Sequence, residues 1–129
     1  MDAAARPAIS LTREAVPAAP GVYAWYRSGK RMYVGKANSL RARLWGNHLG
    51  QSIAPSSSAF RRNVAEHLGF GEPAALKLRR VRLTERQLAN LRKWIVGCQV
   101  AWLTCSSGAA AAVLERRLKI EFKPPLTKR

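Results

Sequence analysis

The chain has 129 residues, of which 47% are hydrophobic, and it carries 23 lysines and arginines against 7 acidic residues, a formal net charge of +16. This length predicts one domain with a real core, and the charge predicts a polyanionic partner, with nucleic acid first and an anionic membrane surface as the rival. The pattern shows no basic amphipathic anchor, signal peptide or membrane span, so we expect no membrane partner and a cytoplasmic location, nucleoid-associated in a bacterium. Two cysteines, Cys98 and Cys105, fit neither a disulfide scaffold nor a zinc site and are interpreted as reduced thiols.

The first segment, residues 1–19, is rich in alanine and proline, a composition that disfavours regular structure. Ile9 and Leu11 are candidates to tether this segment, and Thr12–Ala15 is long enough for one helical turn. We interpret the segment as an N-terminal extension and residues 20–129 as a single domain.

Two runs rich in aromatic and β-branched residues follow, Gly21–Tyr26 and Arg31–Gly35, separated by a short polar loop that contains one glycine. This pattern predicts a β-hairpin. A symmetric turn at Ser28-Gly29 would place Tyr23 and Tyr33 roughly opposite each other, on the same face of the hairpin.

Beyond the second run the apolar residues recur at helical spacing, which predicts a basic helix capped by Asn38 or Ser39. Arg41 and Arg43 lie on this helix. Two phenols and a guanidinium that converge on one spot suit a phosphate ligand, because a guanidinium binds two phosphate oxygens at once. A phenol can donate a hydrogen bond to such a ligand, or accept a proton if its pKa falls below the usual value of about 10.

The middle of the chain, about residues 50–97, is predicted to be a helical insert. Its first helix, from about Ser58 to Leu68, would bury one apolar face. The opposite face of that helix carries three polar residues: Arg61, Arg62 and Asn63. A later helix begins at a capping box, Thr84 with Gln87, and ends at Gly97.

The last part of the chain reads as a strand over residues 98–104, a turn, and a long helix to about Phe122 that Pro124 stops. The order of elements is therefore two strands and a helix, the insert, then a strand and a helix. This order predicts one mixed sheet covered by helices, of the α+β class.

Glu115 lies in an otherwise apolar and basic helix, at the edge of a core face marked by Val113, Leu114 and Leu118. From the residues alone, two interpretations stay open. Glu115 is either a ligand or a surface glutamate paired with Lys119 one helical turn on, a pair that contributes about 0.2–0.5 kcal/mol.

The segments Gly21-Val22-Tyr23 and Tyr33-Val34-Gly35 resemble the two halves of the motif that names the GIY-YIG nucleases, and residues 36–44 resemble the segment that follows it. Residues 114–126, with a glutamate nine residues before a proline, resemble the family's second active-site segment. The resemblance implies an α+β fold with a small antiparallel, three-stranded sheet flanked by helices. It also implies a Mg²⁺-dependent endonuclease that hydrolyses DNA, with Mn²⁺ as a substitute ion and no small-molecule cofactor.

The resemblance also implies roles for single residues. Tyr23 would be the general base and Tyr33 would orient the water and the scissile phosphate. Arg43 would bind the phosphate and Glu115 would hold the metal ion. Lys36 is either a charge that lowers a phenol pKa or a solvated lysine. The predicted nucleic-acid-binding residues are four arginines: Arg41, Arg43, Arg61 and Arg62.

Two positions depart from the family pattern. Where many members have a histidine or tyrosine four residues after the arginine, this chain has Asn47, and His48 follows it as a candidate base. Thr127 stands where the family has an asparagine that helps fix the active-site geometry. These departures keep an alternative open, a catalytically weak or inactive DNA-binding module. The expected partner is DNA, with its structure (branched, damaged or linear) left open, and the protein is expected to be a monomer or weak dimer.

Overall fold

One antiparallel sheet lies at the centre of the fold. The computed structural model describes residues 5–48, 59–72, 75 and 83–127, without the side chains of residues 46–48. Four strands pair in the order β1-β4-β2-β3. Their bounds are β1 Arg6–Pro7, β2 Gly21–Arg27, β3 Lys30–Ala37 and β4 Gln99–Thr104. The predicted α+β class is confirmed, and β1 is a short fourth strand added to the three that were expected.

The β2–β3 hairpin is confirmed, but its register differs from the symmetric one. Ser28 and Gly29 both have positive φ, 52° and 77°, as a two-residue hairpin turn of type I′ requires. The pairing runs regularly as far as Tyr26 and Arg31, and Trp25 then pairs with Tyr33, so that Met32 forms a bulge.

This bulge decides which face Tyr33 occupies. Without the extra residue, Tyr33 would pair with Ala24 and its side chain would lie on the opposite face of the sheet, because a slip of one residue exchanges the two faces. With the bulge, Tyr33 shares a face with Trp25 and, diagonally, with Tyr23. The predicted shared face is therefore correct only because of the bulge, since a symmetric turn would pair Tyr23 with Val34, and Tyr23 instead pairs with Gly35.

Helices cover both faces of the sheet. The face with Val22, Ala24 and Val34 packs against helix α3, Gly108–Phe122. The other face packs against α1, Ala59–His67, α2, Glu85–Val96, and a π-helix, Arg41–His48. No helix among the described residues is long and apolar enough to cross a membrane.

The predicted cap signals hold for the helices of the second half. Thr84 and Gln87 form both bonds of a capping box at the start of α2. Ser107 Oγ accepts a hydrogen bond from the Ala110 amide at the start of α3. Within α3 the predicted core face was partly wrong, because Val113 is 61% exposed while Ala111 and Leu118 are buried.

The N-terminal segment packs on the core. Leu11 and Val16 are buried, whereas Ile9 is exposed, so only one of the two predicted tethers acts as one. Two 3₁₀ turns, Ala8–Ser10 and Arg13–Ala15, form on either side of Leu11. The domain limits at residues 20–129 stay a prediction.

Candidate active site

The phenol of Tyr23 crosses the neighbouring strand at Gly35, its partner in the register. A Cβ atom on Gly35 would lie only 2.3 Å from Tyr23 Oη. The Tyr23 side chain is 1% exposed, so the ring has no open space into which it could retreat. Gly35, the glycine of the second half-motif, therefore leaves the space that the phenol of Tyr23, the tyrosine of the first half-motif, occupies.

Tyr23 and Tyr33 form a pair of coupled phenols. Their ring centroids are 6.3 Å apart and their planes are inclined by 23°. A hydrogen bond joins the two phenols, and it raises the pKa of Tyr23 and lowers that of Tyr33. Burial is the largest cause for both groups, and it raises the pKa of Tyr23 well above 10.0 and raises that of Tyr33.

Arg43 comes to the phenols from the π-helix. Its positive charge lowers the pKa of both Tyr23 and Tyr33, so its guanidinium lies near both rings. Ser39 begins this helix, with Oγ accepting a hydrogen bond from the Ala42 amide.

The π-helical backbone affects the position of residue 48 relative to Arg43. Hydrogen bonds from i to i+5 bring residue 48 one turn beyond Arg43, where an α-helix would bring residue 47. The side chains of residues 46–48 lie outside the described part of the chain, so the role of His48 stays a prediction.

Glu115 lies on α3, the helix that packs on the sheet face opposite to the two phenols. Its negative charge raises the pKa of both phenols, and its side chain is 15% exposed. Its carboxylate also pairs with Lys119 Nζ at 3.3 Å. The pair with Lys119 therefore forms, and the role of Glu115 as a metal ligand stays a prediction.

A model of the GIY-YIG catalytic domain matches residues 21–129. The chain belongs to the GIY-YIG family. This assignment confirms the predicted enzyme class, a nuclease of the GIY-YIG type. No curated protein sequence matches the chain.

Solved structures agree on the fold. The chain is similar to three point mutants of the GIY-YIG N-terminal endonuclease domain of UvrC from Thermotoga maritima, each bound to a catalytic divalent cation. The TM-score is 0.51 in all three cases, the identity is 19, 19 and 18%, and 88% of each chain is covered. At this identity the similarity shows the fold alone.

The second departure from the GIY-YIG pattern, Thr127, makes a defined contact. Its Oγ1 accepts a hydrogen bond of 2.9 Å from the backbone amide of Val34, the residue after Tyr33. The hydroxyl therefore contacts the strand that carries the second tyrosine, without the amide group that an asparagine would supply.

The predicted DNA-binding arginines differ in their surroundings. Arg61 is 2% exposed, which does not fit a phosphate contact on a duplex. Arg41 donates from Nε to the Val16 carbonyl at 2.9 Å and so ties the π-helix to the N-terminal segment. Arg62 is half-buried and lowers the pKa of Tyr33, which places its charge at the site.

Lys36 does not join the phenols' face. It pairs with Val22, and residues of β3 alternate between faces, so its exposed side chain starts from the face opposite to that of Tyr33. Its predicted effect on a phenol pKa has no support from this position.

Helix α1 contributes contacts to the site that the sequence pattern does not indicate. The ring of Phe60 lies 5.0 Å from that of Tyr33 and stacks on Trp25 at 4.8 Å. Asn63 was placed on the polar face, yet it is buried and donates from Nδ2 to the Leu126 carbonyl at 2.9 Å. The signal was its spacing of three from Phe60, which puts both on neighbouring parts of one face.

Proposed function

We propose that this GIY-YIG protein is an endonuclease that hydrolyses DNA phosphodiester bonds with one divalent cation, Mg²⁺ or Mn²⁺. The observation that carries the proposal is a stacked pair of phenols, 6.3 Å apart between ring centroids, whose pKa values both respond to the charges of Arg43 and Glu115. The net charge of +16 supports a polyanionic substrate.

Glu115 is the residue that would hold the ion. The described residues contain no cluster of three or more His, Cys, Asp or Glu side chains able to bind a metal. A single carboxylate fits Mg²⁺, which takes few protein ligands and keeps several waters. When bound, such an ion supplies positive charge that stabilises the reacting phosphate and lowers the pKa of nearby acids.

We assign the proton-accepting role to Tyr33 and not to Tyr23, to which the resemblance pointed. Tyr33 is 9% exposed against 1% for Tyr23, so Tyr33 is the less buried of the two phenols. Burial and the charge of Glu115 raise the pKa of Tyr33, whereas the charges of Arg43 and Arg62 and the hydrogen bond with Tyr23 lower it. The same bond opposes ionisation of Tyr23.

In the proposed step, Tyr33 first releases its phenolic proton to solvent and then takes a proton from the attacking water. The water oxygen forms a bond to phosphorus, the bond from phosphorus to the leaving sugar oxygen breaks, and that oxygen takes up a proton from solvent. Arg43 donates hydrogen bonds to the non-bridging oxygens, whose charge increases in the transition state. Tyr23 keeps its proton and holds the Tyr33 oxygen in place.

One observation favours the weaker alternative, a DNA-binding module with little or no cleavage. Lys119 Nζ pairs with Glu115 at 3.3 Å, so a cation must compete with the ammonium group for the carboxylate. If the competition favours Lys119, the basic surface still binds DNA but the strand is not cut.

Nicking of supercoiled plasmid tests the proposal. Wild type and Glu115→Gln are compared with Mg²⁺ and with EDTA, and Glu121→Gln, an exposed glutamate of the same helix, is the matched control. We expect metal-dependent nicking by wild type and Glu121→Gln and none by Glu115→Gln. DNA binding without nicking by the wild type would support the alternative instead.

A further inference from the structure

We propose that Asn63, in the insert helix α1, is a positioning residue for Tyr33, acting through the C-terminal segment Pro124–Thr127. The role in catalysis rests on the proposed function, whereas the positioning itself rests on hydrogen bonds alone. Neither half of the GIY-YIG motif contains Asn63.

The first link is a pair of hydrogen bonds on either side of Tyr33. The Leu126 amide donates to the Met32 carbonyl at 2.9 Å, and the Val34 amide donates to Thr127 Oγ1 at 2.9 Å. The C-terminal segment is therefore hydrogen-bonded to β3 at the residue before Tyr33 and at the residue after it. Because Met32 is the bulged residue, the first of these bonds lies where the register of β3 changes.

The second link holds the C-terminal segment in turn. The Asn63 side chain donates from Nδ2 to the Leu126 carbonyl at 2.9 Å, and Asn63 is 5% exposed. Leu126 thus donates to the bulge with its amide and accepts from α1 with its carbonyl. If the amide of Asn63 were removed, that buried carbonyl would lose this donor, which is costly away from water.

The third link is a direct contact between the same helix and the phenol. Phe60 is fully buried, and its ring lies 5.0 Å from the Tyr33 ring. Helix α1 therefore constrains the ring of Tyr33 through Phe60 and the backbone of Tyr33 through Asn63. Helix α1 thus restrains Tyr33 by two contacts, one with its ring and one, through Leu126, with its backbone.

The consequence is specific to the chemical step. Asn63 is buried and has no access to a duplex, so its loss leaves DNA binding unchanged. The loosened segment allows the bulge at Met32 to shift, and Tyr33 leaves its place. A reacting group displaced by about 1 Å can slow a reaction by up to about a hundredfold.

The test compares Asn63→Leu, which keeps the volume and removes the donor, with Asn90→Leu, an exposed asparagine of α2. Amide hydrogen exchange at Val34 and Leu126 is measured by NMR. We expect exchange at both amides to rise about tenfold in Asn63→Leu, as for the loss of one buried hydrogen bond, and to stay unchanged in Asn90→Leu. Unchanged exchange in a folded Asn63→Leu protein would overturn the proposal.

A second readout addresses catalysis. Single-turnover nicking should fall about tenfold or more in Asn63→Leu while the Kd for DNA stays within about twofold of wild type. Loss of binding in parallel with the rate would overturn the positioning role. A wild type that does not nick refutes the proposed function but leaves the exchange result to decide the positioning.

Side-chain amide exchange in the wild-type protein gives a test that does not depend on the folding of any variant. The Asn63 side-chain amide protons should exchange with solvent at least about tenfold more slowly than those of Asn90, because one of them is buried in a hydrogen bond. Equal exchange at the two side chains would overturn the proposal.

Discussion

The backbone of Gly35 lies directly beneath the phenol of Tyr23, so close that a single added carbon would sit 2.3 Å from the hydroxyl. The two residues belong to different halves of the GIY-YIG motif and meet because they pair across β2 and β3. The motif is therefore one interlocked contact and not two separate signals. The first prediction follows from this contact.

Replacing Gly35 by alanine should displace Tyr23, because the buried ring cannot move without disturbing its neighbours. We expect a destabilisation of about 1–3 kcal/mol, as for other overpacked cores, measured by urea unfolding. Nicking per folded molecule should also fall. In the matched variant Gly29→Ala the new Cβ meets nothing within 4 Å, so only backbone strain at φ 77° should cost stability, and activity per folded molecule should stay. Equal activity in the two variants would contradict the interlocked contact.

Arg43→Lys keeps the charge but loses the paired hydrogen bonds of a guanidinium. We expect kcat to fall about tenfold to a thousandfold, as when a donor to transition-state charge is removed. DNA binding should weaken little. The comparison is Arg116→Lys, an exposed arginine on α3, which should cleave like wild type. A rate for Arg43→Lys equal to that of wild type would remove Arg43 from the chemical step.

Lys119→Met should strengthen metal binding, because the ammonium 3.3 Å from Glu115 no longer competes for the carboxylate. Mn²⁺ titration followed by electron paramagnetic resonance measures the Kd. The free energy of unfolding should change by about 0.5 kcal/mol or less through the lost ion pair. Lys93→Met, on the exposed side of α2, serves as the control. A weaker affinity in Lys119→Met would show that the lysine assists the site and does not compete with the ion.

Stability should fall at alkaline pH because of the buried phenols. Burial raises the pKa of Tyr23 and Tyr33 above the usual value of 10.0, so the stability that their neutral forms contribute is fully present below about pH 10. It is lost as pH rises toward the folded-state pKa. Burial also raises the pKa of the Cys98 thiol above 9.0, which adds a loss of the same sign.

Tyr23→Phe isolates the contribution of one phenol. It should lower stability by about 1 kcal/mol at neutral pH through the lost hydrogen bond, and it should flatten the alkaline loss. Thermal unfolding from pH 8 to 11 provides the measurement, with Tyr26→Phe as a half-buried comparison. An alkaline slope identical to that of wild type would show that Tyr23 does not ionise in the transition.

The hairpin, the capping box at the start of α2 and the ends of the helices could be predicted because each depends on residues close together in the chain. The bulge at Met32 could not, since its carbonyl accepts from Leu126, more than ninety residues away. No local pattern in β3 marks that partner. The pairing of Tyr23 with Gly35 and the two-residue strand β1, which contains a proline at the sheet edge, were missed for the same reason.

The candidate site also contains some residues that the sequence predicts and others that it does not. Tyr23, Tyr33, Arg43 and Glu115 could be named from the motif; the two phenols stack, and the charges of Arg43 and Glu115 act on the pKa of both. Asn63 and Arg61 were misplaced because polar residues on a helix are usually solvated. Here the helix is buried on more of its circumference than the apolar pattern indicates, so two polar side chains enter the core.

The most direct measurement is the single-turnover cleavage rate of Tyr33→Phe beside Tyr23→Phe, with wild type, in Mg²⁺ and at matched DNA saturation. We expect the cleavage rate of Tyr33→Phe to fall by about a hundredfold or more, the usual contribution of a general base, and that of Tyr23→Phe to fall clearly less. A larger loss in Tyr23→Phe would return the base to Tyr23. Cleavage by Tyr33→Phe at the wild-type rate would contradict the assignment of Tyr33 as the proton acceptor.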